Sequence, residues 1–327
     1  MIYIDAQGSD PYFNLALEEC VFDTFDKSKQ YLILWQNDNT IVLGKYQNAY
    51  EEINFDYIRN HDVKVARRLS GGGAVYHDLG NLNFTFIVDA KDIDDFNFKA
   101  FITPVINALQ EIGIEAKFNG RNDITISGLK FSGNSQYIKN DRIMHHGCIM
   151  VDSNLETVTK ALNTRMIKCE SKGIKSVRSR ITSINSNLDI PISVEAFKKL
   201  LINNISESTS LDTYTLTCDD INKINCLAKN KYATFEWNYG KSPMCSLRKE
   251  RKFDAGIVTC YLEIENASIK DIHLYGDFFG NEDIRILEKE LIGCKLEDSL
   301  LNKIQTIPIK DFMTGISSNE LYNLIIS

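Results

Sequence analysis

Three consecutive glycines, Gly71–Gly73, follow the strand-like run VKVARR (63–68) with only Leu69 and Ser70 between. A backbone without side chains there either takes φ values that other residues avoid or lets another group approach closely. Its N–H groups can point at phosphate or carboxylate oxygens, and Arg67 and Arg68 supply charge for an anion. A tight turn beside a surface arginine pair would read the same way. The exclusions are clearer. No GK[ST] follows, so this is not a Walker loop, and no helix-opening GxGxxG is present, so it is not a dinucleotide fingerprint.

The flanking pattern predicts an α+β chain without the regular βαβα alternation of a doubly wound fold. Ser9 or Asp10 can cap a helix whose first turn holds Pro11, with Leu15, Leu17, Val21 and Phe22 as core candidates. YLILW (31–35) and TIVLG (40–44) flank the turn-like QNDN, which predicts a hairpin. NLNFTFIV (81–88) alternates as a strand should. FNFKAFITPVINALQEIGI predicts a helix ending near Gly113, and NDITISGLKFSGNSQY two short strands around Ser127–Gly128. IMHHGCIMV reads as another strand, with helical patterns at 155–163, 194–205 and 219–230. At WNYGKSPMCSLRKERKF (237–253) the texture becomes polar and charged. Beyond it lies a compact β-β-α pattern, which places a domain boundary near 245–250.

Composition narrows the function classes. With 43% hydrophobic and 25% charged residues the chain reads as an ordinary globular protein. A net charge of −7 argues against general nucleic-acid binding. No apolar run approaches a membrane span, and the N-terminus carries no signal or transit pattern, which predicts a cytoplasmic protein. The 8 cysteines show no metal-like spacing and read as reduced thiols. One stretch breaks the acidic trend: Arg165 to Arg180 holds six basic side chains and one acid. A solvated loop is the ordinary meaning of such a run.

Two further segments carry chemistry. GRNDITISGLKFSG offers Asp123, a carboxylate for Mg²⁺, and Lys130 among small residues, a point charge for a carboxylate and a phosphate together. HHGC offers His145, His146 and Cys148, a pairing that commonly means one packed and one exposed ring.

The order RRxSGGGAVYHDLGN, GRND, KxSG, HHG and KSVRSR, with SDPYFNLALEE, LWQN, TIVLGKYQN and EWNYGKSP, closely resembles the lipoate–protein ligase A family from about Asp10 to the C-terminus. The resemblance implies a large mixed-sheet ligase domain of the biotin and lipoate ligase fold, distantly similar to class II aminoacyl-tRNA synthetases. It also implies a small α+β C-terminal accessory domain, dividing the chain at 1–246 and 247–327. The activity implied is ATP-dependent, with Mg²⁺: lipoate becomes lipoyl-AMP with release of pyrophosphate. The lipoyl group then passes to a lysine of lipoyl domains, in E2 subunits of 2-oxoacid dehydrogenases and in the glycine cleavage H protein. A monomer without nucleic-acid or membrane partners is expected.

Carried over residue by residue, the resemblance assigns the nucleotide to Arg68, Gly73, Ala74, Val75, Tyr76, Asn81, Arg178 and Arg180. Lys130 would bridge the lipoate carboxylate and the α-phosphate, and Asp123 would contact Mg²⁺. Trp35, Arg68, Ser70, Gly71, Gly72, His77, Lys130 and His146 would surround lipoate. The basic run becomes a loop that folds over the adenylate and shields it from water. The family usually has Thr where Cys148 stands, and Cys169 lies in the basic loop. A reactive thiol there would instead suit an octanoyl or lipoyl transferase with a thioester or carrier-bound donor. A non-catalytic lipoate-binding module and a biotin ligase are the remaining alternatives.

Overall fold

The computed structural model describes residues 1–90, 98–119, 122–162, 180–239, 247–265 and 267–326. Fourteen strands form three sheets among these residues: β1 (Ile2–Asp5), β2 (Tyr31–Trp35), β3 (Thr40–Leu43), β4 (Lys64–Arg67), β5 (Val75–His77), β6 (Asn81–Asp89), β7 (Ala116–Asn119), β8 (Asp123–Ile126), β9 (Leu129–Lys139), β10 (Arg142–Met150), β11 (Asp212–Thr213), β12 (Leu247–Phe253), β13 (Gly256–Glu265) and β14 (Ser268–Gly276). The main sheet runs β11-β1-β2-β6-β10-β9-β8-β7. It is parallel only where β1 meets β2 and β11.

Helix α1 (Pro11–Thr24) starts as its sequence predicts. Asp10 is the cap, accepting from the N–H groups of Tyr12 and Phe13, and Pro11 occupies the first turn. One face of the main sheet buries Leu32, Leu34, Phe84 and Phe86 against the helices Lys99–Glu111 and Val194–Ser208. The opposite face, with Ile33, Trp35 and Ile87, packs on α1 through Leu15, Leu17 and Val21. Alternation along each strand thus feeds two cores.

The predicted hairpin does not form. β2 lies between β1 and β6 in the main sheet, while β3 is the centre of a second sheet, β4-β3-β5. Both strands are buried throughout, so nothing in their pattern demanded that they pair with each other. The link between them is pinned instead by α1, where Asn14 Nδ2 donates to Gln36 O and Asn37 Oδ1.

The C-terminal domain has its own core, in which Val258, Leu262, Ile272 and Leu274 pack on Leu287, Leu291 and Leu321. Its sheet holds one strand more than the sequence pattern suggested. Leu247–Phe253, read as a polar stretch, is β12, an edge strand whose charges are used locally. Arg248 pairs with Glu250, which also accepts from Thr259, and Lys249 donates to Ile325 O.

The two domains meet at the glycine loop. Tyr46 stacks on Phe278 with ring centroids 4.9 Å apart, and its hydroxyl donates to Gly280 O and Glu282 O. A Cβ at Gly71 would sit 2.3 Å from Phe278 O, so only glycine admits the C-terminal backbone there. No helix among the described residues is long and apolar enough to cross a membrane.

Candidate active site

A pocket opens between the α1 side of the main sheet and the chain that carries the glycine loop. Its floor is a row of neighbours across four strands: Trp35 on β2, Asn83 on β6, Cys148 on β10 and Gly133 on β9. A second row places His146 beside Ser135. Arg68, Gly73, Ala74, Val75 and His77 form the opposing wall.

Lys130 reaches this space because Gly133 has no side chain. A Cβ at Gly133 would lie 2.9 Å from Lys130 Nζ. Lys130 Nζ is 2.7 Å from Asp123 Oδ1, and both side chains are about one-third exposed at 33% and 29%. Burial acts against the ammonium charge, but the Asp123 carboxylate, by charge and hydrogen bond, outweighs it and raises the lysine pKa. The site therefore presents a fixed cation. Its backbone is held by the chain just past the basic run: Thr182 N–H donates to Lys130 O, and Ile181 bridges to Lys130.

Arg68 is committed to its own loop. Nη2 donates to Gly71 O at 2.7 Å and Gly73 O at 2.8 Å, Nη1 to Val42 O and Nε to Ser70 Oγ. Burial pushes it down to about 10, which leaves it charged at neutral pH. Its contribution is to shape the loop while keeping a positive charge at the pocket wall. Arg67 faces away and ties the loop's base to Trp237 and Asn238 of the WNYG motif.

A line of hydrogen bonds runs beneath the pocket. Arg68 Nε–H donates to Ser70 Oγ, the Ser70 hydroxyl to His146 Nε2 at 2.6 Å, and His146 Nδ1–H to Glu18 Oε1 at 2.9 Å. Glu18 Oε1 also accepts from Thr85, whose oxygen accepts from Trp35 Nε1–H. Both nitrogens of His146 are thus engaged, and neither is free to activate the Cys148 thiol. His77 is neutral: burial first, then Arg68 and His146, push it down to about 3. Asn37 Nδ2 donates to its Nδ1, which leaves Nε2 as the protonated nitrogen, buried and without a partner.

Residues 10–206 match the lipoyl protein ligase A/B catalytic domain, and residues 242–325 match the bacterial lipoate protein ligase C-terminus. The chain is 41% identical to lipoate-protein ligase LplJ of Bacillus subtilis, covering 99% of this chain and 100% of that protein. It is 41% identical to lipoate–protein ligase 1 of Staphylococcus aureus, covering 88% and 87%. Among solved structures it resembles P. falciparum LipL1 in complex with lipoate, with a TM-score of 0.80, 25% identity and 99% of each chain covered. Lipoate-protein ligase A bound with ATP matches with a TM-score of 0.64 and 26% identity, over 73% of this chain and 98% of that one. This chain belongs to the lipoate–protein ligase family. It is a ligase, with the mixed-sheet ligase fold and a small C-terminal domain.

In the ligase, eight of the residues that the resemblance assigns to the site line one pocket, together with Cys148: Trp35, Arg68, Gly73, Ala74, Val75, His77, Lys130 and His146. Ser70 lies behind His146. Of the three glycines only Gly72 takes a positive φ, +90°, and its N–H points at Phe278 O rather than at open space. Gly71 O accepts from Ser135 Oγ as well as from Arg68. The Tyr76 side chain turns into the second sheet's core and bonds Asn39, and Tyr76 is not among the residues that line the pocket. Asn81 sits one step along β6 from the pocket, donating to Asn83 Oδ1. Arg180 is half-buried beside Ile181, whereas Arg178, Cys169 and the rest of the basic run at 163–179 lie outside the described residues.

The histidine pair differs from its sequence reading. His145 is the packed ring, stacked on Phe101 with centroids 4.6 Å apart. His146 is not exposed but buried in the hydrogen-bonded line. Glu18 and Asn83 escaped notice in the sequence. Glu18 is a carboxylate within the apolar pattern of α1, and Asn81, Asn83 and Thr85 make one polar face of an otherwise buried strand. Both are signals of a polar site inside a core.

Proposed function

We infer that the ligase activates lipoic acid with ATP and passes it to a lysine of lipoyl domains, those of E2 subunits and of the glycine cleavage H protein. The observation that carries this reading is Lys130, a cation held at the pocket by Asp123 and given room by Gly133. A lipoate carboxylate oxygen attacks the α-phosphorus of ATP, forming the acyl–phosphate anhydride bond as pyrophosphate leaves with the electrons of the broken P–O bond. The neutral ε-amine of the target lysine then attacks the acyl carbon. A C–N bond forms, AMP leaves with the electrons of the C–O bond, and the nitrogen gives up its proton. Both transition states gather negative charge, which Lys130 and the loop N–H groups of Gly73–Tyr76 would offset without reorganisation.

The aliphatic chain and dithiolane would lie along Trp35, His77 and His146, with Ser70, Gly71 and Gly72 shaping that slot from behind. Asn81, Arg178 and Arg180 would reach the nucleotide. Among the described residues no group of three or more His, Cys, Asp or Glu could hold a resident metal. One carboxylate, Asp123, suits Mg²⁺ arriving on the nucleotide, since that ion is commonly held by one or two carboxylates plus phosphate oxygens and water. It would supply charge neutralisation at the phosphates. Residues 1–246 would form the catalytic domain and 247–327 the accessory domain of a cytoplasmic monomer. The bound lipoate and ATP of the two structural relatives support this reading.

Cys148 in the pocket floor favours one competing reading, acyl transfer through a thioester. Mass spectrometry of a lipoyl domain incubated with the protein, lipoate and Mg²⁺ separates the two. A mass gain of one lipoyl group that requires ATP, with pyrophosphate released, supports the ligase. No gain with ATP, or a gain from a carrier-bound donor alone, sinks it.

A further inference from the structure

The pocket floor holds a hydrogen-bond donor that the protein leaves unused. Asn83 is 1% exposed. Its Oδ1 accepts from Asn81 Nδ2 at 3.0 Å, which turns Nδ2 the other way, and Nδ2 has no partner. The neighbouring pocket amides differ: Asn122 and Asn134 donate to each other's backbone carbonyls. A buried donor without an acceptor is a standing penalty that a ligand oxygen would remove.

Its place in the row gives that donor a role. Asn83 and Gly133 flank Cys148 on the two strands beside it, and the Lys130 head lies over Gly133. Strands about 4.8 Å apart put these two positions roughly 10 Å apart. A carboxyl group, with oxygens roughly 2.2 Å apart and a hydrogen bond of about 2.9 Å to each side, spans roughly 8 Å. The Cys148 thiol, directed at Gly133 O at 3.7 Å, makes a floor that competes for neither oxygen.

We propose that Asn83 Nδ2 and Lys130 Nζ grip the two oxygens of the substrate's carboxyl group from opposite sides, over Cys148. Asn83 thereby selects an acyl group carrying two oxygens at its reacting end and fixes its orientation for attack on phosphorus. This rests on the adenylation reading above.

The test is lipoate-dependent pyrophosphate release by the full-length protein, measured with Asn83→Asp and Asn83→Ala. Aspartate keeps the acceptor that Asn81 uses but replaces the donor with a second acceptor. At neutral pH both variants should lose 10- to 100-fold in kcat, with the KM for ATP little changed. Asn83→Asp alone should recover as the pH is lowered toward 5, where a protonated carboxyl regains a donor. A rate that recovers while the thermal melt shows the variant fully folded at both pH values marks the lost donor; a melt that recovers in step with the rate marks a structural role and overturns the proposal. Should either variant fail to fold, Asn83→Thr and Asn83→Val, matched in shape but not in donor, replace them, with threonine expected at least 10-fold faster. Wild-type rates in Asn83→Asp at every pH, or equal rates in the Thr and Val variants, overturn the proposal. Wild-type protein that releases no pyrophosphate overturns the adenylation reading itself, a distinguishable failure.

Discussion

Ser70 Oγ lies 2.6 Å from His146 Nε2, and Glu18 holds the other side of the same ring. Serine, histidine and carboxylate in this order resemble a hydrolase triad, yet the environment gives them another task. Ser70 is 1% exposed, and its oxygen already accepts from Arg68. The line fixes a ring in the pocket wall to the arginine that shapes the loop. Replacing Glu18 with alanine leaves the His146 Nδ1–H and the Thr85 O–H without an acceptor. It should cost about 1–3 kcal/mol, read as a lower melting temperature, and should raise the KM for lipoate more than that for ATP. Unchanged values for both would mean that the line does not organise the pocket.

Lys130→Ala should abolish adenylation and leave the fold intact, because the side chain is one-third exposed and Asp123 can return to water. Losing a preorganised cation typically costs about 10²–10³ in rate. Pyrophosphate release is the assay, with a thermal melt as control. Near-normal release would remove Lys130 from the mechanism.

Cys148→Thr should keep most ligation activity. The thiol's hydrogen bond is the weak contact to Gly133 O at 3.7 Å, and His146 has no nitrogen to spare for it. Cys169→Ser is expected to behave in the same way. A variant that still forms lipoyl-AMP yet lipoylates nothing would point to a thioester intermediate.

Stability should depend on pH through Glu288. Burial, reinforced by Asp283 and Asp271 and opposed by the Leu274 N–H it accepts, pushes its carboxyl up from 4.5 to about 7. The folded state then binds more protons than the unfolded one between those values. Stability accordingly falls as pH rises through the window, and the cost is complete above 7. Glu288→Gln should therefore stabilise by about 1–3 kcal/mol at pH 8 and by little at pH 4. Urea melts at the two pH values decide it; equal gains at both would contradict the assignment.

Gly71→Ala should loosen the C-terminal domain, because its Cβ would sit 2.3 Å from Phe278 O. Hydrogen exchange should quicken across 276–282 while the main sheet stays protected. Unaltered exchange there would show that the loop yields more readily than the joint.

The elements legible in the sequence were those whose signal is local. The Asp10 cap, the alternation of β6, and Ser127–Gly128, both with positive φ, needed no tertiary partner. The hairpin misreading at 31–44 shows the limit, since two fully buried strands carry no mark of which neighbour each will take. β12 was hidden because its side chains satisfy their charges along an edge. The glycine loop and Lys130 stood out in sequence. Glu18 and Asn83 did not, because their role comes from the strands and helix that surround them. Arg68 lines the pocket, as its place in the sequence suggests, but the four protein oxygens that accept from it are a tertiary feature no local pattern carries.

Beside the Tyr46–Phe278 stack, hydrogen bonds at the joint between the two domains fall on main-chain groups: Gly72 N–H to Phe278 O and Gly276 N–H to Tyr46 O, with the Tyr46 hydroxyl on two further carbonyls. Main-chain groups are common to all residues but proline's missing N–H. The outer surface of the accessory domain can therefore drift in sequence, and with it whatever that surface meets, without undoing the attachment. Exchanging such domains between relatives should succeed according to how well the backbone path at 276–282 is kept, not according to overall identity.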